Sequence, residues 1–176
     1  QQAYKEKTGA LPPSAFLKSL LINSAADVGA PGPDFVTGYG NVDGYRALRE
    51  MQADHYFSGS ASDQELRTFA LNVPSGVKNL RITLVWNDPA AQVNSNAALV
   101  NDLDLTLNFA GNVWQPWILN TTANASSLNQ AATRGPDHVN NMEQVLLEEP
   151  TPGTYTIQVH GFDVPDGTQQ FYICYQ

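Results

Sequence analysis

Leu80-Arg81-Ile82-Thr83-Leu84-Val85-Trp86 alternates with a period of two, placing Leu80, Ile82, Leu84 and Trp86 on one face and Arg81, Thr83 and Val85 on the other. Successive side chains of a strand point to opposite faces, so this run predicts a strand with one face against a core. The same pattern recurs on both sides of it. Phe69, Leu71 and Val73 alternate with Thr68, Ala70 and Asn72, and Leu103, Leu105 and Leu107 with Asp102, Asp104 and Thr106. Tyr155, Ile157 and Val159 alternate with Thr154, Thr156 and Gln158; Phe171, Ile173 and Tyr175 close the series, and Val145–Leu147 is a further short candidate. Pro74-Ser75-Gly76, Ala110-Gly111-Asn112, Pro152-Gly153 and Pro165-Asp166-Gly167 separate the runs as turns. About six to eight such strands predict a mainly β fold, an antiparallel β-sandwich or jelly-roll, over residues 53–176. Within it, Asn120–Gln130 reads as a long exposed loop with acceptor triplets at Asn120 and Asn124, a pattern that arises easily in Asn/Ser-rich sequence.

Residues 1–52 follow a different period. Gln1–Lys7 predicts the end of a helix, stopped by Gly9 and Pro12-Pro13. Ser14 is placed to cap a second helix whose apolar face carries Phe16, Leu17, Leu20 and Leu21. Ala30-Pro31-Gly32-Pro33-Asp34 forces a loop, and Tyr45–Met51 predicts a third helix with Ala47 and Leu48 inward. One or two helices without a sheet cannot enclose a core, so this part needs a companion. The candidates are the sandwich, a partner chain, or a second copy of the chain through residues 14–26.

Composition narrows the function classes. The 176 residues carry a net charge of −8, with five Lys/Arg against five Asp/Glu in residues 1–50 and four against twelve in residues 51–176. An acidic domain repels phosphate backbones, which argues against nucleic acid and for cations. No apolar run reaches the roughly 18 residues of a membrane span. The single cysteine, Cys174, excludes an internal disulfide and a cysteine-based zinc cluster, and its apolar flanks predict a buried filler. Gly-X-Ser-X-Gly is absent, Gly59-Ser60 lacks a nucleophile context, and His55, His138 and His160 have no evident nucleophile beside them. No catalytic residue is therefore assigned.

The order of several motifs resembles one family. Leu21-Ile22-Asn23-Ser24-Ala25-Ala26-Asp27-Val28-Gly29, Pro31-Gly32-Pro33-Asp34 and Gly38-Tyr39-Gly40-Asn41-Val42-Asp43 look like the end of the catalytic domain of subtilisin-like serine proteases, the subtilases. Leu84-Val85-Trp86-Asn87-Asp88-Pro89, Leu99-Val100-Asn101-Asp102-Leu103-Asp104-Leu105, Asn140-Asn141-Met142-Glu143-Gln144-Val145 and Gly153-Thr154-Tyr155-Thr156-Ile157 are similar to the β-barrel domain appended to a subset of bacterial alkaline subtilases. The resemblance implies a C-terminal accessory region of a secreted serine endopeptidase. In that reading residues 1–52 are the tail of the catalytic domain, residues 53–176 are the accessory domain, and the partner is the remainder of the protease. The family's Gly-Thr-Ser-X-Ala-X-Pro serine motif does not occur here, so the chain is not expected to cleave peptides alone. The competing reading is a carbohydrate- or protein-binding jelly-roll module of a secreted hydrolase, with Trp114 and Trp117 as an aromatic platform.

Asp102 and Asp104, at i and i+2 of one strand, project from its polar face together. Asn101 precedes them, Asp88 follows a neighbouring strand, and Asn140, Asn141 and Glu143 form another oxygen-rich group. Calcium takes six to eight oxygens from such groups. Asp88, Asn101, Asp102, Asp104 and Glu143 are thus the expected ligands of a structural Ca2+, and the subtilases with this domain are calcium-binding proteins. Arg81 and Arg134 are the basic residues nearest in sequence that could instead neutralise the pair. Asp and Asn also cap turns by accepting backbone N–H bonds, which is the competing use of these side chains.

Overall fold

The computed structural model describes residues 1–176. Three helices come first: α1 (Gln2–Thr8), α2 (Ser14–Ser24) and α3 (Gly44–Gln52). Ten strands follow: β1 (Tyr56–Ser62), β2 (Leu66–Val73), β3 (Asn79–Trp86), β4 (Asp102–Phe109), β5 (Asn112–Trp114), β6 (Trp117–Ile118), β7 (Thr133–Arg134), β8 (Met142–Glu148), β9 (Gly153–Asp163) and β10 (Thr168–Tyr175). A one-turn helix, α4 (Ala125–Leu128), interrupts the long loop, started by the Asn124 side chain accepting from the Ser127 amide.

Two four-stranded sheets hold the apolar faces, in the orders β1-β10-β3-β8 and β2-β9-β4-β5, and every pairing is antiparallel. The short β6 and β7 pair only with each other. Counting the other eight strands along the chain, the sheets run one-eight-three-six and two-seven-four-five. That is the interleaving of a jelly-roll, and the sheets do not close into a barrel. Between them lie the residues that the alternation marks: Ile82, Leu84 and Trp86 of β3, Leu103, Leu105 and Leu107 of β4, Tyr155, Ile157 and Val159 of β9, and Phe171 and Ile173 of β10, all buried.

The other face of β3 is also buried, at Thr83 and Val85, because α2 lies across it. Phe16 and Leu20 of α2 meet Ala47 and Met51 of α3 and Cys174 of β10 in a second apolar cluster. The companion sheet that the helices lack is therefore the outer face of the jelly-roll. Three details depart from the helical reading, the first being that on α3 Ala47 is buried but Leu48 is exposed. The buried side of α2 also presents Ser19 and Asn23, whereas Leu21 stays 41% exposed. Ser14 does not cap α2; Pro13 occupies that position, and the Ser14 hydroxyl instead accepts from Asn87 Nδ2 at 2.9 Å. Cys174 is a buried filler whose thiol burial pushes up to about 12, so it stays neutral. The segment between α2 and α3 is pinned by a bridge between Ala26 and Asn41. Gly40 makes that approach feasible: its φ is 97°, and a Cβ there would lie 2.1 Å from the Ala26 carbonyl oxygen. No helix is long and apolar enough to cross a membrane.

Candidate cation site

Asp102 and Asp104 open β4, and a bulge between Asp102 and Leu103 shifts the register against β9, leaving Leu103 opposite Gly161 and Asp104 opposite His160. Both carboxylates emerge on one side, as the period of two requires. β5 pairs with β4 only at Leu107–Phe109, so the first half of β4 is a sheet edge with free amides. Glu143, from β8 of the opposite sheet, covers that edge: its Oε2 accepts from the Leu105 amide. Glu143 is 1% exposed and Asp102 7%.

The loop before β8 brings in a further group. Asp137 folds the loop on itself, its Oδ1 accepting from the amides of Val139 at 2.9 Å and Asn140 at 3.2 Å. That turn directs His138 towards β4, where its Nδ1 lies 2.7 Å from Asp102 Oδ2 and 3.7 Å from Asp104 Oδ1. The imidazole is stacked on Phe162 of β9, with ring centroids 4.3 Å apart. One ligand atom each from Asp102, Asp104 and His138 lie within 4.8 Å of one another.

Three carboxylate oxygens in this corner, Asp102 Oδ1, Asp104 Oδ1 and Glu143 Oε1, are buried without a hydrogen-bond partner. Burial holds all three carboxyls above the usual carboxylate range, and Glu143 well above it. For Glu143, Asp104 and Asp137 add to the rise. The backbone amides of Leu105 and, more weakly, Asp137 oppose that rise. The Tyr39 phenol, from the segment between α2 and α3, is pushed up to about 12, first by burial and then by Asp137 and Glu143. Neither arginine neutralises the group. Arg81 donates to the carbonyls of Asn23 and Ala25 at the end of α2, and Arg134 stacks on Trp117 and donates to the Leu146 carbonyl. Carboxyl groups with orphaned oxygens beside an imidazole are donor types that a divalent cation can accept.

Asp102 and Asp104 are thus brought together with His138, Glu143 sits at the β4 edge on the Leu105 amide outside that group, and Asp88 and Asn101 are hydrogen-bonded elsewhere. Asp88 accepts from the amides of Val100 and Asn101 with its two oxygens, at 2.8 and 2.7 Å. Asn101 is buried, donates to Asp166 O and Gln169 Oε1, and accepts from the Asp166 amide. Both pin the loop that leads into β4. His138 escaped the sequence reading because a lone histidine after Pro136-Asp137 carries no periodic signal; only the fold sets its loop beside β4. Trp114 and Trp117 are engaged separately rather than as a platform. Trp114 leans on Tyr155 at 6.0 Å, while the Trp117 ring lies beneath the Arg134 guanidinium, 3.3 Å from its centroid, with Gly32 packed against it.

No family model matches the chain. Among curated proteins it is similar to the serine protease/ABC transporter B family protein tagA of Dictyostelium discoideum. The two are 23% identical over 186 residues, covering 93% of this chain and 10% of that protein. It is also similar to tagB of the same organism and description, 33% identical over 90 residues, covering 51% of this chain and 5% of that protein. The chain spans a tenth or less of the length of these relatives. Among solved structures, the pre-peptidase C-terminal domain of a collagenase from Bacillus anthracis is 16% identical with a TM-score of 0.38, covering 69% of this chain and 87% of that one.

Proposed function

We propose that this chain is the C-terminal accessory region of a secreted subtilisin-like serine endopeptidase, in which residues 1–52 complete the catalytic domain and the jelly-roll braces them. The observation that carries this reading is the similarity to a protein described as a serine protease. It runs across 93% of the chain, so it takes in the helices and the jelly-roll together. The apolar groove between the helices, lined by Tyr4, Leu17, Leu21, Leu48 and Met51, receives the preceding part of the catalytic domain. The chain supplies support rather than chemistry, since acyl transfer needs a nucleophile, a base and an oxyanion hole in one place.

The same reading assigns a calcium ion to the corner between the sheets. Asp102, Asp104 and Glu143 would hold it with their orphaned oxygens, while Asp88 and Asn101 hold the approach to β4 in place. The ion would supply the positive charge that Arg81 and Arg134 do not. The isolated chain, incubated with labelled casein and a fluorophosphonate probe, is expected to release no peptide and take up no label. Stoichiometric labelling of a serine within residues 1–176 would overturn the assignment.

A further inference from the structure

We infer that His138 is a nitrogen ligand in this corner, so that the site takes a zinc-class divalent cation through Asp102, Asp104 and His138 as well as calcium through oxygens alone. This rests on the cation site proposed above and specifies which ions it selects. Three observations lead to it. The His138 Nδ1 lies on the side of the imidazole that faces the two aspartates, 2.7 and 3.7 Å from their oxygens, and Phe162 fixes the ring in that direction by stacking. Ligand atoms of a tetrahedral zinc, each about 2.0–2.2 Å from the metal, are separated by roughly 3.3 Å. The three atoms here, all within 4.8 Å of one another, need only small side-chain rotations to reach that spacing. Finally, Asp102 Oδ1, on a side chain more than nine-tenths buried, has no donor, so the corner holds more acceptor capacity than one imidazole satisfies.

Ligand chemistry then separates the ions. Calcium prefers oxygen and gains little from an imidazole, whereas zinc and its neighbours bind imidazole nitrogen with carboxylates readily. A purely structural His138, clasping its loop to β4 through Asp102, would leave zinc with no reason to depend on it.

The test uses the whole chain, stripped with chelator and then titrated with Zn2+ and, separately, Ca2+, following the thermal midpoint and the heat of binding. Co2+ serves as a spectroscopic stand-in for zinc. Zinc is expected to raise the midpoint of the wild type, and Co2+ to give visible absorption of tetrahedral intensity. In His138→Ala and in His138→Gln, zinc affinity should fall by at least the roughly tenfold loss that removing even an outer-sphere partner produces, with the cobalt bands lost. Calcium should bind these variants as it binds wild type. Asp104→Asn should weaken both ions, and His55→Ala, which alters a histidine paired with Glu50 away from this corner, should weaken neither. Zinc binding that survives both His138 variants, or cobalt bands of octahedral intensity, would overturn the inference and leave the calcium assignment standing. A wild-type chain that responds to neither ion would remove both.

Discussion

At Glu143 two demands meet: its carboxylate caps the open edge of β4 at Leu105, yet it is almost fully enclosed beside Asp104 and Asp137. With no cation present, ionised Glu143, Asp102 and Asp104 weigh against the folded state. Their folded values are raised above the unfolded range of about 4, so their favourable contribution is complete below that range. It is lost as pH rises through the raised values. In chelator, the thermal midpoint should therefore climb as pH is lowered from 7 towards 5, and saturating calcium should flatten that dependence. A midpoint that instead falls steadily over this interval in chelator would contradict carboxyls whose burial outweighs the opposing His138 and His160. Replacing Asp102 and Asp104 together by Asn removes charge without volume. The double variant should lose the calcium response while its midpoint in chelator stays level with wild type or rises, as differential scanning calorimetry would read. Asp102 and Asp104 were legible as a same-face pair because a strand's period fixes it. Their convergence with His138 was not, since it depends on how a loop and a strand meet.

Among the elements, α2 is where the helical reading and the packing diverge. Its side towards β3 and β10 carries Ser19 and Asn23, which a search for apolar faces passes over. Ser19 Oγ donates to the Thr83 carbonyl at 2.7 Å and accepts from the Cys174 amide at 3.1 Å, and Asn23 Oδ1 accepts from Thr83 Oγ1 at 2.9 Å. These bonds fix the register of the helix on the sheet, which apolar contact alone leaves loose. Ser19→Ala removes a hydroxyl shared by the Cys174 amide and the Thr83 carbonyl, which still face each other in the β3–β10 ladder, and should cost about 0.5–1.5 kcal/mol in urea unfolding. An unchanged midpoint would mean that water replaces the hydroxyl. Gly40→Ala should cost more, because its backbone conformation disfavours a side chain and the Ala26 carbonyl occupies the space a Cβ needs. β2, β3, β4, β8, β9 and β10 were legible from alternation, whereas β1 was not, because Ser58-Gly59-Ser60 carries no apolar period. β5, β6 and β7 were not, because runs of two or three residues are too short to show a period.

For the whole molecule, the jelly-roll order follows from turn positions and alternation once the strands choose partners, and the helices then take the one sheet face left with buried side chains. Phe16 is the hinge of that union, 1% exposed and in contact with Tyr4, Tyr56 and Tyr172. Phe16→Ala should destabilise the chain by about 3–5 kcal/mol and loosen residues 1–52 from the sheet. Hydrogen exchange would register this as faster exchange in α2 than in β9. The brace itself is best tested in the longer protein that carries the chain, by following peptidase activity through time at elevated temperature. Phe16→Ala and Asp102→Asn/Asp104→Asn should each shorten the activity half-life while leaving initial kcat/KM near the wild-type value, with chelator shortening the wild-type half-life in the same way. Half-lives unchanged in both variants and in chelator, or a longer protein without peptidase activity, would contradict a bracing role in a serine endopeptidase.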